Sequence, residues 1–216
     1  MKPHQKYAGE KEVGNLLCHA PCGPFRQKVS DSCFAPGAFT SIGAWRGPNG
    51  PIEYQGRTYG LRVHEFRKFV GLPALCPDTR FEMALDIHPN DAKDIAMLRE
   101  QGWSLVDPKI VCGGAVEYRH YIGRSKAEFM IPKQMYVDTN SGLLSDRSVY
   151  YLASGRPVLA RETGIGHHYP TGEGLLTFSS LEEAAAGVES INRDYARHAR
   201  AARASWPSSS LIRTKC

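Results

Sequence analysis

Two periodicities alternate through the chain from about residue 38 to residue 204. Short apolar runs of strand length, "AFTSIGAW" (38–45), "RFEMALDI" (80–87), "SLVDP", "AEFMIP", "RPVLARE" (156–162) and "GLLTFS" (174–179), are separated by stretches whose apolar residues recur at helical spacing. Residues 59–73 place Leu61, Phe66, Phe69 and Val70 on one helical face, with Gly71 and Pro73 as stop signals. Residues 88–103 start at an Asn90 or Asp91 cap, carry Ile95 and Leu98, and end at Gly102. "VEYRHYIGRS" reads as another helix, and "SGLLSDRSVYYLASGRPVLARETG" (141–164) as a turn, a short helix stopped at Gly155 and Pro157, and a strand. The last helix opens on a Ser180–Glu183 capping box, repeats Leu181, Ala184, Ala185, Val188, Ile191 and Tyr195, and closes at Trp206 and Pro207.

Strands alternating with helices at these intervals predict an α/β domain, a Rossmann-like doubly wound parallel sheet covered on both faces. The expected organisation is an irregular arm over 1–37, rich in Gly, Pro, Cys and charge, a Rossmann-like domain over 38–204, and a tail over 205–216. In such sheets ligands bind beyond the carboxyl ends of the strands, at the switch in strand order. The loops there are the places to look for chemistry.

Composition narrows the chemistry. No apolar run approaches the ~20 residues of a membrane span. The start "MKPHQKYAGEKEVG" has no secretory apolar core, which makes the cytoplasm the expected compartment. The formal charge of +5 suits an anionic ligand, but no basic stripe with interleaved aromatics points to nucleic acid. Six cysteines (Cys18, Cys22, Cys33, Cys76, Cys112, Cys216) at irregular spacing read as mostly free thiols. "CHAPC" (18–22) has the wrong spacing for a zinc knuckle, so no metal is assigned.

The helix entrance at residues 141–148 has the physics of a phosphate site. Gly142 admits close approach, and the first turn near Ser145 offers unpaired N–H groups at the positive end of the helix dipole. Ser145 or Asp146 also fits a plain N-cap; Asp146, repulsive to phosphate, is expected to cap the helix or orient Arg147, and Ser148 adds a hydroxyl. The loop 162–174 holds Gly164, Gly166, Gly172 and Gly174, but lacks the GxGxxG spacing of a dinucleotide turn. That absence argues against an unrelated methyltransferase or reductase. His167 and His168, adjacent in that loop, point apart and fit a bland loop better than a metal pair. "IGAWRG" (42–47) ends the first strand, where Gly43 permits close approach, Arg46 suits a phosphate, and Trp45 either stacks or packs. Glu65, Ser125, Lys126 and Glu128 read as surface ion-pairing residues near element ends.

The ordered series "FTSIGAWRG", "FEMALDI", "YIGRSKAEFMIPKQMYVDTNSGLLSDRSVYYLASGRPVLARETG" and "YPTGEGLLTF" resembles the carboxyl-terminal, donor-binding domain of bacterial glycosyltransferases of the two-domain GT-B architecture. The resemblance implies a nucleotide-sugar donor held opposite an acceptor domain, hexosyl transfer in the cleft between them, and no bound cofactor or divalent metal. It places diphosphate contacts along the turn from Ser141 to Ser148, with Arg46 or Arg147 as the cation; the donor-binding candidates are thus Gly43, Trp45, Arg46, Ser141, Gly142, Ser145, Asp146, Arg147 and Ser148. Glu162, Thr163 and Gly164 would approach the sugar or ribose. Two positions depart from the pattern: Leu143 and Leu144 stand where similar sequences carry Trp-Phe, and Tyr150 stands where many retaining enzymes carry a glutamate.

The chain is expected to begin in the tail of the acceptor domain, so the catalytic base is not assigned. Transferase activity would then need an acceptor-domain partner chain. The alternative is a noncatalytic nucleotide-binding or protein-interaction module derived from such an enzyme, pairing through its former interface with another protein or a second copy.

Overall fold

The computed structural model describes residues 37–47 and 50–205. The expected arm before residue 37, the tail beyond residue 205, and the cysteines at 18, 22, 33 and 216 lie outside the described residues. In chain order, strand β1 (Phe39–Ala44) is followed by a hairpin, β2 (Ile52–Tyr54) and β3 (Arg57–Tyr59), and by short helices α1 (Arg62–Phe66) and α2 (Leu72–Leu75). Next come β4 (Phe81–Asp86), α3 (Ala92–Glu100), β5 (Trp103–Val106), α4 (Pro108–Val111), α5 (Ala115–Arg124) and β6 (Ala127–Met130). Then follow α6 (Gln134–Asp138), α7 (Asp146–Ala153), β7 (Val158–Arg161), β8 (Leu175–Phe178), α8 (Leu181–Arg193) and α9 (Tyr195–Ser205).

Six strands form one parallel sheet in the order β5-β4-β1-β6-β7-β8. The chain walks outward from β1 through β4 to β5, then returns to the other side of β1 and walks outward through β6, β7 and β8. The order therefore reverses between β1 and β6, and an open crevice forms beyond their carboxyl ends. Successive side chains of a strand point to opposite faces, and the two cores follow that rule. Phe39, Phe81, Met83, Phe129, Leu159 and Phe178 face the layer of α1, α2, α3 and α8. Ile42, Ala84, Met130, Val158 and Ala160 face α5, α7 and α9. An aromatic chain runs through the first core: Phe66 to Trp103 (5.1 Å between ring centroids), Trp103 to Phe129 (5.8 Å), Phe129 to Phe178 (5.2 Å, stacked). Each such ring contributes roughly 1.5–3 kcal/mol by burial.

Several boundaries differ from the sequence reading. The helix expected over 59–73 is three short pieces, with a 3-10 turn at Arg67–Phe69 between α1 and α2. Gly71 and Pro73 begin α2 instead of stopping a helix, because a proline in a first turn gives up an N–H that has no partner there anyway. His88, not Asn90, caps the turn that precedes α3: its Nδ1 accepts the Asn90 N–H at 3.1 Å. Asp91 holds the N-cap position of α3, but its carboxylate goes to Arg46. The last helix breaks at Asp194 (φ −137°, ψ 64°) into α8 and α9. Ser180 caps α8 through the Glu183 N–H, whereas the Glu183 carboxylate reaches back to the Ser179 N–H, one residue earlier than a standard capping box. The stops at Gly102 (φ +92°) and Gly155 (φ +67°) adopt the expected left-handed conformation.

Candidate functional site

A cleft of about 470 Å³ opens at the carboxyl ends of β1 and β6, where the strand order reverses. Gly43 and Arg46 line it from the end of β1, Lys133 and Tyr136 from the segment after β6, and Ser145, Asp146 and Arg147 from the start of α7. Arg62, from the first turn of α1, completes the wall. A second hollow of about 310 Å³ lies at the opposite, amino ends of the strands, beside Phe81 and Arg124. Arg124 there is already paired with Glu82 (2.9 Å), so the carboxyl-end cleft is the better candidate.

Arg62 is the most informative residue of the cleft. Its guanidinium spans the ends of two strands, Nη2 donating to Ser41 Oγ of β1 (2.6 Å) and Nε to the Ile131 carbonyl just past β6 (3.0 Å). The residue is only 7 % exposed, and Nη1 has no hydrogen-bond partner. Gly43 (φ +146°) leaves the space above it, since a Cβ there would lie 2.6 Å from Nη1. Burial, helped by the positive charge of Arg147 and opposed by Glu128, lowers the Arg62 pKa to about 9, so at neutral pH a cation still lines the cleft. An unpaired buried donor on a cation costs on the order of 1–3 kcal/mol or more, which an entering anion would relieve.

Arg147 lies on the same wall, its Nε also without a hydrogen-bond partner and 4.0 Å from Glu128 Oε1. The backbone of Ser145 occupies the N-cap position of α7, but its hydroxyl donates to Asp146 Oδ1 (3.2 Å) and caps nothing. Asp146 Oδ1 accepts the Arg147 N–H (2.9 Å) and so takes up one of the donors at the helix mouth. The mouth lines the cleft, but less of it is free than its sequence indicates. The positive character of the wall comes chiefly from Arg62 and Arg147.

The remaining expected contacts part company. Trp45 is a core residue, 1 % exposed, with its indole N–H on Asp94 (2.8 Å) and its ring edge-on to Phe66; it presents no face to a ligand. Arg46 lines the cleft but is held by Asp91 through Nη2 (2.6 Å) and Nε. Gly142 does not admit a ligand backbone: the space above its Cα holds the His168 ring, 2.5 Å from where a Cβ would sit. Ser141 and Gly142 tie instead to neighbouring loops, Ser141 Oγ donating to the Tyr136 carbonyl and the Gly142 N–H to that of Thr163. Thr163 is buried, its hydroxyl on the Leu143 carbonyl (2.9 Å), and Gly164 packs on Asn140. Glu162 turns its carboxylate onto the Gly164 and Ile165 N–H groups. Burial pulls that carboxyl upward, but these bonds and Thr177 outweigh it and hold the pKa below the ordinary value. Ser148 is fully buried and faces Glu128, not the cleft.

Glu65 and Glu128, expected at the surface, are both buried. Glu65 sits between Arg161 (2.9 Å) and Lys68 (2.6 Å), a structural pair tying α1 to β7. Glu128 shares the face of β6 that carries Met130 and so points into the α5–α7 layer. Sequence reasoning missed Arg62, Lys133 and Tyr136. The available signal for Arg62 was its place between Leu61 and Val63 at the start of a helix whose neighbours are core. Among the described residues, no cluster of His, Cys, Asp and Glu has the geometry to hold a metal ion, and no helix is long and apolar enough to cross a membrane.

No protein-family model and no curated protein matches this sequence. Among solved structures, the chain is similar to the C-terminal domain of a glycosyl transferase group 1 family protein, LpcC, from Francisella tularensis. The likeness has a TM-score of 0.50 at 12 % identity and covers 81 % of this chain and 87 % of that one. The fold is that of a GT-B carboxyl-terminal domain. A looser likeness runs to the GtfA/B complex, with a TM-score of 0.44 at 10 % identity, over 80 % of this chain and 33 % of that one. The six-stranded parallel sheet thus agrees with the architecture that the sequence implied.

Proposed function

We propose that the cleft beyond β1 and β6 binds the diphosphate of a nucleotide sugar, and that the chain is the donor-binding part of a glycosyltransferase. One observation carries this reading: Arg62 is a buried cation whose Nη1 lacks a partner and lines a cleft at the switch in strand order. Arg147 and the positive end of α7 stand on the same wall. A diphosphate leaving group carries two neighbouring anionic centres, which matches two guanidinium groups better than a single carboxylate would.

In sugar transfer, charge grows on the leaving phosphoryl oxygen as the bond to the anomeric carbon breaks. Prearranged donors in a partly dry cleft stabilise that charge without reorganising. Arg62 is suited to that role because Ser41 and Ile131 already fix its orientation. Lys133 and Tyr136 at the rim are placed for the nucleoside or sugar. Gly43 contributes by carrying no Cβ above Nη1. In this reading the acceptor, and the catalytic base of an inverting transfer, would sit on an acceptor domain facing the cleft.

Calorimetry with uridine, guanosine, thymidine and adenosine diphosphates tests the reading. Binding of at least one, weakened in Arg62→Met, is expected; failure of all four to bind overturns it.

A further inference from the structure

Seven buried side-chain atoms among the described residues lack a hydrogen-bond partner, and four of them belong to one group: Arg62 Nη1, Arg147 Nε, Glu128 Oε2 and Ser148 Oγ. Native proteins leave few such atoms unpaired, so their concentration beside one cleft marks a place completed by something else. A ligand anion can satisfy the two arginines. It cannot satisfy Glu128 Oε2, which is itself an acceptor, and it brings further negative charge to a carboxylate that is 1 % exposed.

The groups facing Glu128 define its charge balance. They are Arg147, Asp146, Ser148 and Tyr151 from α7, Arg62 from α1, and Tyr118 from α5. Burial raises the pKa of both phenols, so Tyr118 and Tyr151 stay neutral. Burial also raises that of Glu128, while Arg147, Ser148 and Arg62 oppose the rise. The Ser148 hydroxyl lies close enough to favour the ionised carboxyl but does not close a well-formed hydrogen bond. With the cleft empty, the guanidinium groups of Arg147 and Arg62 favour the ionised form of Glu128 against its burial. Adding a doubly charged phosphate leaves the group with excess negative charge in a poorly solvated place.

We propose that Glu128 is the proton acceptor of this site: when a doubly charged phosphate group binds against Arg62 and Arg147, the Glu128 carboxylate takes up one proton from solvent. The proton lets one carboxyl oxygen donate while the other accepts, with the Ser148 hydroxyl a neighbouring partner able to serve either form. The protonated carboxyl also frees Arg147 to turn fully to the phosphate. This inference rests on the phosphate-binding reading of the cleft.

The test is calorimetry of the full chain with inorganic pyrophosphate, in two buffers of different ionisation enthalpy, for the wild type and Glu128→Gln. The wild type is expected to take up close to one more proton than the variant; the variant, which mimics the neutral carboxyl, supplies the baseline for the ionisation of pyrophosphate itself. Relative to the variant, wild-type affinity should rise about tenfold per unit fall in pH between the free and bound pKa values of Glu128. Infrared difference spectra on adding pyrophosphate should show a protonated carboxyl band in the wild type, shifted in Glu128→Asp. Those spectra decide the matter if Glu128→Gln fails to fold, and absence of the band overturns the proposal. Equal proton uptake in wild type and Glu128→Gln, or a loss of affinity in the variant that is the same at every pH, overturns the inference and leaves the phosphate reading intact. Pyrophosphate that does not bind the wild type overturns both.

Discussion

Replacing Arg62 with methionine separates a residue kept for the fold from one kept for a ligand. The lowering of the Arg62 pKa from 12.5 to about 9, at about 1.4 kcal/mol per unit, means that its charge costs the ligand-free protein roughly 5 kcal/mol. Against that stand two hydrogen bonds, to Ser41 and Ile131. Losing the cation leaves the Ile131 carbonyl without its donor, at about 1–3 kcal/mol, whereas the Ser41 hydroxyl can turn to another acceptor. Methionine fills most of the space with apolar atoms, so Arg62→Met should leave the ligand-free protein about 2–4 kcal/mol more stable than the wild type. Binding should move the other way. A charge-assisted bond to phosphate contributes about 1.5–3 kcal/mol, and its loss weakens affinity roughly 10- to 150-fold. Urea unfolding and titration with a nucleoside diphosphate measure the two quantities on one preparation. A variant destabilised by more than about 2 kcal/mol that still binds as before would show Arg62 to be a strut, and the argument for the cleft would collapse.

Three further outcomes follow from the same geometry. Gly43→Ala places a methyl 2.6 Å from Arg62 Nη1 at a φ of +146° and should abolish diphosphate binding at a stability cost of roughly 1–3 kcal/mol; unchanged affinity would mean that the gap above Nη1 serves no ligand. Trp45→Phe removes the indole donor to Asp94 (2.8 Å), so it should lower stability by about 1 kcal/mol and leave nucleotide affinity unaltered, contrary to a stacking role. His198 accepts the Gly174 N–H, and burial first, then Arg197, lowers its pKa from 6.5. The unfolded chain therefore binds more protons below that value, and stability should fall as pH drops from about 6.5 toward the depressed folded pKa, with the slope absent in His198→Gln, as followed by melting temperature.

The sheet was legible because the short apolar runs of β4, β6 and β8 and the stops at Gly102 and Gly155 are local signals. The hairpin β2–β3 was not. Its turn, Gln55 (φ +50°) and Gly56 (φ +73°), has positive φ at both positions, but glutamine stands where asparagine or aspartate would announce such a turn. The candidate site was legible in place more than in person. The carboxyl ends of the strands and the start of α7 do meet in a cleft, and Gly43, Arg46, Ser145, Asp146 and Arg147 do line it. Arg62 escaped notice because an arginine at helical spacing reads as surface until the strand end beside it is known to carry no Cβ. Ser141, Gly142, Thr163 and Gly164 misled for the converse reason: small and hydroxylated residues serve loop-to-loop contacts as readily as ligands, and only tertiary placement tells them apart. Glu128 was hidden by a strand buried on both faces, where alternation carries no polarity signal.

The chain leaves the sheet at Trp45, and the excursion through the hairpin ends at Gly60, whose N–H is fastened to Gln134 Oε1 (3.1 Å) just before Arg62 begins its helix. Because this rivet lies at the end of the detour and not within it, the intervening hairpin can lengthen, shorten or be exchanged at small entropic cost without disturbing the guanidinium. The excursion is thus a replaceable attachment at the rim of the cleft, free to diversify while the anchor beneath it stays in register.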